Sequence, residues 1–118
     1  MRKSTRVVLA AALIAGLSAS ASAVKFGALA YNSRTGAIGY AIDHDSRQSA
    51  ENRALRECGS GCGVAVYFKN TCAAYAVGAK GGTGYAFGTR DQARNAAVRN
   101  CSKYDNGCAV KVWACTSS

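Results

Sequence analysis

From residue 24 onward the apolar positions fall into short runs with two different periods. Phe26 to Tyr31 and Ala37 to Ile42 are strand-length segments, separated by Asn32-Ser-Arg-Thr-Gly36, whose turn-forming residues suit a hairpin loop. Ala50, Ala54 and Cys58, with Leu55 beside them, then recur at helical spacing behind Ser46, a residue type that caps helices. Val64, Val66 and Phe68 next alternate with Ala65, Tyr67 and Lys69, the period of a strand. The same succession returns. Ala73 to Ala79, a glycine-rich turn around Gly81-Gly82 and Gly84 to Phe87 predict a second hairpin. Thr89 and Gln92 have the spacing of a capping box, in which hydroxyl and amide satisfy free donors of the first helical turn. Ala93, Ala97, Val98 and Cys101 repeat the apolar stripe, and Val110 and Val112 alternate with Lys111 and Trp113.

The recurrence extends to residue identity. Ser46 to Cys58 aligns without a gap on Thr89 to Cys101, with six of thirteen positions identical. Gly39-Tyr40-Ala41 matches Gly84-Tyr85-Ala86, and Gly61-Cys62 with its strand matches Gly107-Cys108. This predicts an α+β domain of two tandem ββαβ repeats, about 26–72 and 73–115, related by a pseudo-two-fold. The expected architecture is a mostly antiparallel sheet with the helices packed on one side of it.

The first 23 residues follow another pattern. Arg2, Lys3 and Arg6 precede an apolar run from Val7 to Leu17, and Ala21-Ser22-Ala23 has the small-x-small form of a signal-peptidase site. The expectation is a cleaved signal peptide over 1–23, export to the periplasm or medium, and a single mature domain over 24–118. No later apolar stretch is long enough to span a bilayer. The leader holds three of the fifteen basic residues and none of the six acidic ones, so residues 24–118 carry +6. That charge favours anionic partners without naming one.

All six cysteines follow residue 23, and an oxidising destination makes disulfides the natural reading. The spacings of Cys58, Cys62, Cys101 and Cys108 are poor matches to structural zinc sites, and His44 belongs to neither cluster. No metal or other cofactor is expected. Six cysteines allow fifteen pairings. Taking Cys58/Cys101, Cys62/Cys108 and Cys72/Cys115 as equivalent places favours Cys58 with Cys62, Cys101 with Cys108, and Cys72 with Cys115. In that scheme the last bond ties the two copies together. A symmetric alternative joins Cys58 to Cys101 and Cys62 to Cys108.

Candidate chemistry is thin. Asp43-His44-Asp45 sets carboxylates beside an imidazole. Yet the tripeptide sits between a strand and a helix cap, and the second copy has only Gly88 there, so a turn-and-cap role is preferred. No nucleophile elbow accompanies the histidine, and the six acids are scattered. Gly78 to Gly84 lacks the residue order of a phosphate-binding loop and precedes a strand, so it reads as a hairpin turn. The cations form a more coherent set. Arg47, Arg53, Arg56, Arg90 and Arg99 lie on the two helices, and Tyr40, Tyr67, Tyr85 and Trp113 could interleave rings among them. Arg47, Arg53, Arg56, Arg90, Arg99 and Trp113 are the candidate binding residues.

Phe26-Gly-Ala-Leu-Ala-Tyr31, Gly39-Tyr40, the alanine-rich helix ending in Cys58, the Gly61-Cys62-x-Val strand, Asn70-x-Cys72-Ala-Ala, and the second helix with Gly107-Cys108-x-Val together resemble the domain-of-unknown-function 4189 family. The resemblance covers nearly all of residues 24–118. It implies an exported bacterial domain and supplies no catalytic residue. The expected function is a non-catalytic binding module whose basic face engages an anionic envelope component or a protein. The alternatives are a protein inhibitor or immunity factor, whose rigid scaffold would limit the entropy lost on binding, and a small hydrolase centred on His44.

Overall fold

Small residues at alternate positions of each hairpin let a helix backbone lie directly on the strands. In the computed structural model, which describes residues 24–118, β1 (Phe26–Tyr31) and β2 (Ile38–His44) pair antiparallel. Ala28 and Ala30 of β1 and Ala41 of β2 meet Ala50, Ala54 and Cys58 of α1 (Arg47–Cys58) in one buried layer. At Gly39 the approach is close enough that a Cβ would overlap the Ala54 carbonyl oxygen and the Cys58 amide. The second half repeats the device. β4 (Cys72–Val77) and β5 (Thr83–Gly88) receive α2 (Arg90–Cys101) through Ala74, Ala76, Ala93, Ala97 and Cys101. A Cβ at Gly84 would overlap the backbone of Ala97 and Cys101. The signal peptide expected over 1–23 lies outside the described residues.

The strands form two antiparallel sheets rather than one. β3 (Gly63–Lys69) completes the order β2-β1-β3, and β6 (Ala109–Cys115) completes β5-β4-β6. The helices therefore do not share a side, and each covers the outer face of its own sheet. Alternation along the central strands explains the difference. Ala28 and Ala30 face α1, so Leu29 faces the other way, as Ala73 does opposite Ala74. Leu29, Val66, Phe68, Ala73, Val112 and Ala114 make a third apolar layer between the sheets. One helix can cover only one face of a sheet, and the second apolar face is buried by the other sheet. Tyr31 and Tyr75 meet in this middle layer with ring centroids 5.7 Å apart. Phe68 lies over Gly27, its cross-strand partner, where any Cβ would strike the ring.

Strict alternation fails in β3. Ala30 pairs with Val64 and Leu29 with Val66, so Ala65 is an extra residue, a β-bulge. Val64 consequently shares the helix-side face with Ala30, while Val66 and Phe68 point to the middle layer. Lys111 plays the same part in β6, where Val110 joins the α2 layer and Val112 the middle one. β2 is bulged near Asp43, whose φ is 63°. β5 pairs with β4 without a register shift. The sheets are offset as they stack: β3 lies over β4, β1 over β6 and β4, and β2 over β6. β5 overhangs.

Local chemistry closes the ends. Ser46 Oγ accepts from Ser49 N at 3.1 Å, and Thr89 with Gln92 forms the expected capping box. Two exposed loops are stitched by the buried Asn32, whose Oδ1 accepts from Arg34 N and Thr35 N while Nδ2 donates to Ser60 O. Disulfides join Cys58 to Cys62, Cys101 to Cys108 and Cys72 to Cys115. The short two clip each helix end to the strand that follows. Cys72 and Cys115 are cross-strand partners in β4 and β6, so the third bond closes the second sheet on itself and does not tie the halves together. Cys72 and Cys115 are thus not equivalent positions, because β6 ends at Cys115 whereas β3 ends at Lys69 and Cys72 already opens β4.

Candidate functional site

The offset of the sheets leaves an open groove of about 390 Å³ along the free edge of β3. Val64 and Tyr67 form its helix-side wall with Arg47 and Glu51 of α1, and Ala65 and Val66 lead to the other wall, where β5 supplies Tyr85 and Phe87. Tyr85 is 53% exposed and Phe87 47%, exposures that large aromatic rings seldom keep on a sheet face turned inward. Both are on the face of β5 opposite Gly84 and Ala86, so helix packing turns them toward the first sheet, which among the described residues has no strand opposite to cover them. Their rings meet edge to face at 5.7 Å.

The cation in the groove is fixed on two sides. Arg47 Nε donates to Glu51 Oε2 at 2.8 Å, one helical turn away, and the guanidinium lies 3.7 Å from the centroid of the Tyr67 ring. The hydrogen bond from Arg47 to Glu51 holds the Arg47 side chain above its ordinary pKa. In the second half Arg94 lies 5.4 Å from the Trp113 ring. Trp113 is the β6 counterpart of Tyr67, but its cation comes from the next helical turn because Arg94 stands where α1 has Glu51.

The six candidate binding residues do not form one face. Arg47, Arg53 and Arg56 belong to α1, while Arg90 and Arg99 belong to α2 and Trp113 to β6, on the opposite outer layer. Placing both helices on one side of a single sheet would have united them. Arg53 is paired with Glu57 at 2.9 Å beside Tyr40, and Arg90 with Asp91 at 3.4 Å. Arg56 borders a shallow polar depression with Ser46 and Asn52, and Arg99 is exposed in the last turn of α2. Of the interleaved aromatics, Tyr67 and Tyr85 are brought together. Tyr40 and Trp113 are not. Glu51, Val64, Phe87 and Arg94 were not singled out by the sequence pattern; the alternation of Tyr85 and Phe87 with small residues was the available signal, but it points equally to a buried aromatic face.

His44 accepts a structural explanation. Its Nδ1 is 2.6 Å from Ser49 Oγ, the side chain at the third position of α1. Gln92 occupies that place in α2 and serves the capping box, so the contact clamps the helix entry. Asp43 turns away from the ring. Its carboxylate accepts from both the amide and the hydroxyl of Ser117, tethering the segment after β6 to the first sheet. Those two bonds, aided by Lys25 and His44, lower the Asp43 pKa. Among the described residues no group of three or more histidine, cysteine or carboxylate side chains could hold a metal ion.

The Gly78–Gly84 loop does hold an anion, and the anion is the chain's own. Asp105 Oδ2 accepts from Lys80 N and Gly82 N at 2.8 Å each, and Oδ1 accepts from Asn106 N at 2.7 Å. The Gly82 amide first, then those of Asn106 and Lys80, pull the carboxyl below its usual range. A folded-state pKa below the unfolded one means that both aspartates stabilise fully above the unfolded pKa, near 4, and lose that contribution as pH falls through the lower folded values. Thermal melts taken from pH 6 downward should therefore show stability falling below about pH 4. Asp105→Asn should be less stable than the parent at neutral pH and approach it at the acid end. Parallel curves for the two proteins would contradict this assignment.

A family profile described as Domain of unknown function (DUF4189) matches residues 26–115, from the first residue of β1 to the last of β6. The chain belongs to this family. The match takes in every element of the DUF4189 domain described above, including both walls of the groove. No curated protein and no solved structure shows a significant match to the chain.

Proposed function

We propose that this DUF4189 domain is an exported, non-catalytic binding module that holds an anionic partner, an envelope component or a protein, in the β3 groove. The observation that carries the reading is the groove itself, where half-exposed aromatic rings stand beside a locked arginine. Exposed rings suit apolar surface, and the excess of twelve basic over six acidic side chains in residues 24–118 favours negative charge on the partner, Arg47 itself being offset by Glu51. The three disulfides support the exported reading. The common element order of the two halves supports their origin by duplication of a ββαβ unit. After such an event the groove would have become specialised in one half, since Arg47, Glu51 and Tyr67 have Arg90, Arg94 and Trp113 as counterparts.

Immobilised domain should retain material from envelope or culture-medium fractions at low salt and release it at about 1 M, where the Debye length falls to about 3 Å. Replacing Tyr85 and Phe87 by serine should abolish retention while the fold survives, because both rings are half exposed. Undiminished capture by that variant would remove the groove from the function. A protein inhibitor is the second reading, favoured by the cross-linked scaffold, and stoichiometric retention of one protein that resists high salt would select it.

A further inference from the structure

Each of the two sheets ends in two edge strands, and unpaired edges invite another chain unless they are blunted. Three of the four are guarded. β6 places Lys111 at its bulge in mid-strand. The far end of β2 is held by Asp43 and the Ser117 tether. On β5 the Asn100 side-chain amide already donates to the Tyr85 carbonyl at 2.9 Å. Among the described residues β3 has no mid-strand charge, tether or capped carbonyl, and the bulge it has in common with β6 lacks the lysine. Its bulge residue is Ala65, it carries no charge before Lys69, and its edge opens into the groove.

Resting on the binding-module reading, we propose that the partner is an extended polypeptide segment that adds to β3 as a fourth strand of the first sheet. The groove walls fit that occupant on both faces. A strand beside β3 would send alternate side chains to opposite sides of the sheet. One set would cover Tyr85 and Phe87, supplying the strand that the offset leaves missing opposite β5. The other set would face Val64 and Tyr67 beneath Arg47. Long-range charge favours acidic residues in the second set: Arg47 and Glu51 of the groove offset each other, but residues 24–118 as a whole carry twelve basic and six acidic side chains. The segment therefore alternates apolar and acidic residues over about six positions, the length of a typical strand.

A display library of random ten-residue peptides, panned against the disulfide-intact domain, tests this directly. Alternating apolar–acidic sequences should be enriched on the parent and absent from the eluate of the Tyr85→Ser/Phe87→Ser variant. A synthetic copy of an enriched peptide should slow hydrogen exchange at β3 amides. N-methylation of two amides on the pairing edge should cost at least about tenfold in affinity, and on the opposite edge little, since only one edge donates to β3. Equal effects of the two methylation patterns, unchanged β3 exchange, or no alternating sequence in the eluate would each overturn the proposal. Polygalacturonate, an acidic chain without amide donors, separates the two levels. If it binds the parent in a Tyr85- and Phe87-dependent manner while peptides fail, the binding-module reading stands and the strand addition falls; if neither probe binds, both fall.

Discussion

Replacing both Cys72 and Cys115 by alanine is expected to cost about 4 kcal/mol, more than the loss of either other bridge. The bond closes a sequence separation of 43 residues, against 4 for Cys58–Cys62 and 7 for Cys101–Cys108. In the chain-entropy account the two short loops are worth about 2 and 2.5 kcal/mol. For a domain of this size, 4 kcal/mol corresponds to a fall in melting temperature of about 20 °C. The bond lies within the second sheet, so its loss frees the end of β6 next to Ala114 of the middle layer and the segment that Ser117 ties to Asp43. Urea titration of the three double variants checks the ordering. It also tests the mechanism, because releasing a long loop expands the unfolded chain and should raise the slope of free energy against urea. A Cys72/Cys115 variant that matches the short-loop variants in both midpoint and slope would refute the claim.

Local structure was legible in the sequence because its causes are local. Ser46, Thr89 and Gln92 announce helix starts by chemistry that acts within one turn, and the stripes Ala50-Ala54-Cys58 and Ala93-Ala97-Cys101 fix which helix face is buried. The number of sheets was not legible. Leu29 and Ala73 show that the central strands have a second apolar face, but nothing local to either strand says which element covers it. The bulges at Ala65 and Lys111 were hidden for a related reason. An extra residue in a run such as Gly-Val-Ala-Val-Tyr leaves the alternation of residue types intact and changes only which face each one serves. The groove follows from both unreadable features, the bulge that puts Val64 beside Arg47 and the offset that uncovers Tyr85 and Phe87. Arg47 and Tyr67 were visible as a cation and a ring. Their meeting across α1 and β3 was not.

Gly84→Ala is expected to destabilise the domain by about 3 kcal/mol, at the upper end of overpacking costs, and Gly39→Ala by a similar amount. Most overpacked sites relax by rotating a side chain, but here the obstacles are backbone. A methyl at Gly84 would meet the Ala97 carbonyl and the Cys101 amide, and one at Gly39 the Ala54 carbonyl and the Cys58 amide. Relief requires the helix to lift from its sheet. That motion would open the contacts of Ala93, Ala97 and Cys101 with Ala74 and Ala76, where side chains this small reach nothing once the backbones separate. The disulfide at each helix end resists the lift, since Cys58 and Cys101 are bonded to the start of the following strand region. Gly63→Ala provides the control, because a Cβ there meets nothing within 4 Å, and its stability should stay within about 0.5 kcal/mol of the parent. Unlike loss of the long disulfide, the Gly84 substitution acts on the folded state, so its urea midpoint should fall with the slope unchanged. A Gly84→Ala protein as stable as Gly63→Ala would mean that α2 does not rest on β5 at backbone distance, and the layer built from alanines would need another explanation.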